Sequence, residues 1–163
     1  MKHMSIAISE QDYQKRIDAL LAYIHQSGYS GVVLFDRDYI LYYTGFAFIP
    51  TERPIAFVLN KEGEKVLFVP YLELTHASQI SFIERISSYV EYPHEKNPMI
   101  ILADLLVELG IQQSIASDGE GYPWIFGYRG STLHELTGVK PIIIRQFIED
   151  QICLLYTSDA ADE

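Results

Sequence analysis

The sequence predicts an α/β domain built on a mixed β-sheet flanked by helices, and three observations carry that prediction. Segments with apolar residues at helical spacing alternate with short, unbroken apolar runs rich in β-branched residues, the pattern of strands buried between helices. One pair of these runs is joined by a short turn containing Gly63, so part of the sheet is antiparallel. A hydrophobic content of 48% with 13% aromatics is enough to build a core and lies far from disordered composition.

Taken in order, Ser9 is a good helix N-cap, with Glu10 and Asp12 in the first turn to complement the helix dipole. Tyr13, Ile17, Leu20, Leu21 and Ile24 then mark one helical face, and Gly28 stops the helix. "GVVLFD", Gly31 to Asp36, reads as a buried strand. "PIAFVLN" and "KVLFVP" form a hairpin around Lys61–Glu64, bracketed by Pro54 and Pro70. A short helix is expected over Leu72–Gln79 and a strand over "RISSYVEY". Asn97 caps a helix with Pro98 at its first position, running through "PMIILADLLVELG" to Gly110. "QSIASDG" is a small strand, and Ser131 or Thr132 caps a brief helix that ends at Gly138. "VKPIIIRQ" is the last strand, with Pro141 at its edge or start, and Phe147–Ile152 opens a further element. No repeat or linker interrupts this order, so residues 1–152 read as one domain.

The last stretch, Cys153 to Glu163, reads differently. It admits an in-frame codon solution that resembles the transposase adapter of shotgun sequencing libraries, so 153–163 is expected to be adapter translation and the natural sequence to be cut at about Ile152. Of the formal net charge of −10, three negative charges (Asp159, Asp162 and Glu163) lie in this tail, leaving −7 for the rest. An acidic chain is a poor match for nucleic acid, whose phosphates call for stripes of Lys and Arg. The only cysteine, Cys153, is also in the tail, which removes disulfides, a thiolate nucleophile and a zinc knuckle from the domain. With no signal-like or membrane-length apolar run, the expectation is a cytoplasmic protein with no membrane partner.

Few residues suggest chemistry. There is no dinucleotide or phosphate loop and no H-E-x-x-H, and "GYSG" lacks the spacing of a nucleophile elbow. The five histidines, His3, His25, His76, His94 and His134, show no metal-ligand spacing, and His25 and His134 fall on solvated helix faces. Asp36, Asp38, Glu52, Glu73, Asp118 and Glu120 could in principle gather a divalent cation at strand ends, as nucleases do. Turn formation and solvation account for such acids more simply.

"YYTGFAFIPTERP", Tyr42 to Pro54, stands apart. It reads as a loop, yet it holds four aromatics, Gly45, two prolines and an adjacent Glu52–Arg53 pair. A loop this aromatic must bury against something. Either Phe46, Phe48 and Ile49 cap the domain's own core while Arg53 pairs with Glu52 or Glu73, or the loop faces a second domain or subunit and shapes a site there. Arginine at such a place suits a carboxylate or an aromatic ring.

The order of segments resembles the creatinase/prolidase N-terminal domain of Xaa-Pro aminopeptidases and dipeptidases. The likeness rests on Arg16 in the first helix, Gly28, the strand Val32–Phe35 and the Y-[LYF]-T-G-F segment Tyr42–Phe46, followed by "PTERP", "VPYLEL", "EYP" and "GYRGSTLHEL". It spans Asp12 to Ile152. The resemblance implies ribonuclease-H-like topology and a following "pita-bread" catalytic domain that binds two divalent metal ions through two aspartates, a histidine and two glutamates. None of those ligands can be assigned up to Ile152, where "QFIEDQI" only approaches the family's usual next motif. The parent would be a metallopeptidase acting on short proline-containing peptides. This portion would carry no catalytic residue, metal ligand or cofactor of its own, covering the metal site and supporting a homodimer, with Phe46, Phe48 and Arg53 as substrate or interface contacts. The alternatives are the same domain of a creatinase-type non-peptidase hydrolase or of an inactive binding relative, and a free-standing metal-dependent nuclease.

Overall fold

Local signals fix the first helix. Ser9 is extended, its hydroxyl accepts from the Asp12 backbone N–H at 3.2 Å, and the Asp12 carboxylate accepts from the Ser9 N–H at 3.3 Å. This capping box opens α1, Glu10–Ser27, whose inner face buries Ile17, Leu20 and Ile24. The computed structural model describes residues 8–91, 96–119, 128 and 130–159. His3, His94 and Glu120 lie outside the described residues, as do the "EYP" residues beyond Glu91 and parts of "GYRGSTLHEL".

Gly31–Leu34 forms β1, and the predicted hairpin forms β2, Ala56–Asn60, and β3, Lys65–Pro70. Between β1 and β2 the structure corrects the sequence reading. Tyr42–Thr44, assigned above to a loop, are the last turn of a helix, α2, Arg37–Thr44. Asp36 caps it, accepting from the Asp38 N–H at 2.9 Å, and Tyr39, Ile40, Tyr43 and Thr44 form its buried face. A 3-10 turn, Tyr71–Glu73, leads into α3, Leu74–Ile80, and then β4, Ile86–Tyr89. Asn97 caps α4, Pro98–Glu108, with Pro98 at the helix start as expected. β5, Ile115–Ser117, and α5, Leu133–Thr137, follow, the latter in a second capping box built by Thr132 and Glu135. The last strand is shorter than predicted: β6 is Ile142–Ile143 alone, because Arg145 already opens α6, Arg145–Asp159. Pro141, lacking an N–H, sits just ahead of the strand.

The sheet has six strands in the order β4-β3-β2-β1-β5-β6. β2 is antiparallel to both its neighbours, and the remaining pairings are parallel. An antiparallel β1-β2-β3 meander extended by parallel strands is ribonuclease-H-like topology, so the predicted mixed sheet flanked by helices is what the chain forms. Side-chain alternation divides the core. Val32, Leu34, Phe57, Leu59, Leu67 and Val69 face a layer that includes α1, α2, α3 and α6. Val33, Ala56, Val58, Val66 and Phe68 face α4 and α5. Asn60 ties the hairpin turn to the end of α4. Its side chain accepts from the Glu64 N–H at 2.8 Å and donates to the Leu109 carbonyl at 3.1 Å, at the end of α4.

Candidate functional site

The aromatic loop begins where α2 ends, and that end is tightly made. The Thr44 hydroxyl donates to the Ile40 carbonyl at 2.6 Å and accepts from the Phe46 N–H at 3.0 Å, while the Thr44 carbonyl accepts from the Phe82 N–H at 2.7 Å. Gly45 turns left-handed at φ 74°, and its N–H donates to the Leu41 carbonyl. Any side chain there would begin 3.0 Å from the Tyr13 hydroxyl oxygen. At the far end the Tyr89 hydroxyl donates to the Pro54 carbonyl at 2.9 Å. The loop is therefore held at both ends.

The sequence candidates separate by depth. Phe46 is fully buried, stacked on Phe48 with ring centroids 5.4 Å apart and tilted against His76. Phe48 is half-buried, and Ile49 is 85% exposed, so Ile49 does not cap the domain's own core. Arg53 is half-buried, with its Nε 3.8 Å from the Glu52 carboxylate, one of the two partners considered above. Phe46 thus supports the loop from beneath, while Phe48 and Arg53 reach its surface. Phe48 and Ile49 also line a groove of about 380 Å³ with Arg37, Ala47, Glu73 and His76. His76 Nδ1 lies 3.2 Å from Glu73 Oε2, an i, i+3 pair. Arg37 and His76 went unremarked as neighbours of the loop in the sequence. The Glu73–His76 spacing was the available signal for one of them; for Arg37 the signal was the missed helix.

The acids do not converge. Asp36 caps α2, Glu52 faces Arg53, Glu73 pairs with His76, and Asp118 is buried at the end of β5. Among the described residues no group of three or more His, Cys, Asp or Glu is placed to hold a metal ion. Asp118 is tied to backbone instead, Oδ2 accepting from the N–H groups of Phe35 at 2.8 Å and Asp36 at 2.6 Å. Burial pushes its carboxyl up to about 6. The two N–H bonds and Arg145 oppose that rise, and the Asp36 charge adds to it.

The sequence model of the creatinase/prolidase N-terminal domain matches residues 16–145, most of the chain. The chain belongs to the creatinase/prolidase N-terminal domain family. An uncharacterized peptidase of Staphylococcus aureus (strain bovine RF122) is 28% identical over 108 residues, 62% of this chain and 30% of the relative. The chain thus spans less than a third of the length of that relative. The fold of this creatinase/prolidase domain is shared by solved structures. The N-terminal domain of an X-Pro dipeptidase from Streptococcus pyogenes superposes with a TM-score of 0.66 at 24% identity, covering 83% of this chain and 98% of that one. Dipeptidase PepE from Mycobacterium ulcerans gives 0.68 at 21% identity, covering 88% of this chain and 37% of that one. Among the described residues, no helix of the domain is long and apolar enough to cross a membrane.

Proposed function

We propose that this creatinase/prolidase domain is the non-catalytic N-terminal part of an Xaa-Pro aminopeptidase or dipeptidase. It covers the metal site of a following catalytic domain, restricts that site to short proline-containing peptides, and supports a homodimer. The two divalent metal ions belong to that following domain. The family match over residues 16–145 carries this reading. The anchored loop supports it, because a rigid segment presenting Phe48, exposed Ile49 and Arg53 suits contact with another protein surface or a small peptide. Arg53 would recognise a carboxylate, and Phe48 an apolar ring.

The test is made in a full-length relative of this domain, replacing the arginine equivalent to Arg53 by alanine. Loss of a charged hydrogen-bonded contact, roughly 1.5–3 kcal/mol, predicts a KM for an Xaa-Pro dipeptide raised about 10-fold or more, or a weakened dimer. An unchanged KM together with an unchanged dimer would remove Arg53 from the contact. The isolated domain is expected to release no proline from the same dipeptide with manganese present, and to leave an RNA–DNA hybrid uncut.

A further inference from the structure

A second groove, of about 910 Å³, lies between α1, α2 and α6, and none of Phe48, Ile49 or Arg53 lines it. Its size is that of a small-ligand site. Two residues of α2 organise it. Tyr39 and Tyr42 stand about one turn apart on that helix, each beside a guanidinium from a different neighbour. Arg145 of α6 lies 5.6 Å from the centre of the Tyr39 ring, and its Nη2 donates to the Asp118 carbonyl at 3.1 Å. Arg16 of α1 lies 4.3 Å from the centre of the Tyr42 ring and 5.3 Å from that of Tyr13, and its Nη1 donates to the Tyr42 carbonyl at 2.7 Å. All five side chains line the groove.

The two arginines are oriented without being neutralised. Each gives an N–H to a main-chain carbonyl, and among the described residues neither forms a salt bridge with a carboxylate. A guanidinium has five N–H donors, so most of theirs remain for a ligand. Three acids also border the groove, but each is engaged. Asp36 caps α2, Asp38 lies 3.7 Å from Arg37, and Glu149 accepts from the Tyr39 hydroxyl at 2.7 Å. In a chain of net charge −10, two ring-stacked guanidiniums without a carboxylate call for one from outside. The walls beside them are apolar, with Leu41 38% exposed, Ile8 49% exposed and Ile152 partly buried. We propose that this groove binds a short peptide ending in a free carboxylate, with Arg16 and Arg145 holding the carboxylate. The tyrosine rings and Leu41 take the apolar side chains next to it. This goes beyond the peptidase reading and does not depend on it.

Titration of the whole chain with N-acetyl-leucyl-leucine, and with the same compound as its C-terminal amide, followed by amide NMR, tests this. The acid should shift the backbone amides of Tyr39, Leu41 and Tyr42 and the Nε–H signals of both arginines. It should bind about 10-fold or more tightly than the amide, the loss expected for one charged hydrogen-bonded contact. Arg145→Gln should weaken the acid about 10-fold and leave the amide as it was. Arg16→Lys, which keeps the charge but loses the planar fork, should weaken the acid by a smaller factor. Lys15→Gln, an equal change of charge at an exposed side chain of α1 outside the groove, should change nothing. Equal binding of acid and amide, shifts confined to residues outside the groove, no shift up to about 10 mM ligand, or full binding of the acid by Arg145→Gln would each overturn the site. Tighter binding of an amidated peptide that carries glutamate side chains also overturns it, and marks the groove as a dock for an internal acidic segment. Should Arg145→Gln fail to fold, the comparison of acid with amide on the unaltered chain decides.

Discussion

Replacing Gly45 by alanine isolates what the loop's entry contributes to the fold, and Gly138 provides the control. Both glycines close helices in the left-handed region, at φ 74° and 71°. An alanine in that region costs roughly 1–2 kcal/mol from its Cβ alone. At Gly138 a Cβ meets nothing within 4 Å, so Gly138→Ala should cost only that conformational penalty. At Gly45 the same atom would sit 3.0 Å from the Tyr13 hydroxyl oxygen, 3.1 Å from its Cζ and 3.4 Å from the Ile80 carbonyl. Tyr13 is not free to withdraw: its ring stacks on Phe82 at 5.8 Å and carries the Arg16 guanidinium at 5.3 Å. Overpacking of this kind adds about 1–3 kcal/mol, so Gly45→Ala should cost about 2–5 kcal/mol in total. Urea unfolding followed by far-ultraviolet circular dichroism measures both, with the slope checked to be common to the variants. Equal losses for the two glycines would show that Tyr13 does not brace the loop, and the account of a rigid entry would fail.

Two further outcomes follow from depth and burial. Phe46→Ala should destabilise the domain by about 3–5 kcal/mol, because Phe46 is fully buried, whereas Ile49→Ala, on a residue 85% exposed, should stay within about 0.5 kcal/mol; urea midpoints of the pair would expose any error in assigning one to the core and the other to a contact surface. Asp118 sets a pH dependence whose sign can be worked out: a folded value near 6 against an ordinary 3.8 means stability fully present below 3.8 and lost as pH rises through 6, about 3 kcal/mol in all. Asp12, held low chiefly by its bonds from Ser9, contributes with the opposite sign, so the measurement is the difference in unfolding free energy between the unaltered chain and Asp118→Asn at several pH values.

Where backbone chemistry was spelled out locally, the sequence was sufficient. Ser9 with Asp12, Asn97 with Pro98, Ser131 or Thr132 with Gly138, and Gly63 in the hairpin each named an end or a turn that the structure reproduces, with Thr132 as the cap of the two offered. These residues act through their own hydrogen bonds or φ angles within a few positions, and no distant contact is needed to read them. The strands flanking Gly63 were equally plain, because a central strand covered on both faces has to be apolar throughout. The last strand was overestimated for a related reason. Ile142 to Ile144 look alike in sequence, but Ile144 is buried beside the start of α6 and only the first two residues form the strand.

The helix α2 was misread because its composition argues against its conformation. Tyr39, Ile40, Tyr42, Tyr43 and Thr44 are residues that favour strands, and they follow directly on a genuine strand. Yet the buried set 39, 40, 43 and 44 recurs at helical spacing, Asp36 stands where a cap belongs, and Gly45 stands where a helix stops. Period and caps together outrank propensity here, since a helix draws most of its stability from the face it buries. That misreading hid the candidate site as well. Counted as loop, Tyr42 to Pro54 seemed to hold four aromatics in search of a partner; two of them, Tyr43 and Phe46, are fully buried core residues and a third, Tyr42, packs partly buried against the same core. What remains at the surface is narrower: Phe48 and Ile49 line a groove with Arg37 and His76 that only the fold could bring beside them, and Arg53 lies half-buried further along the segment.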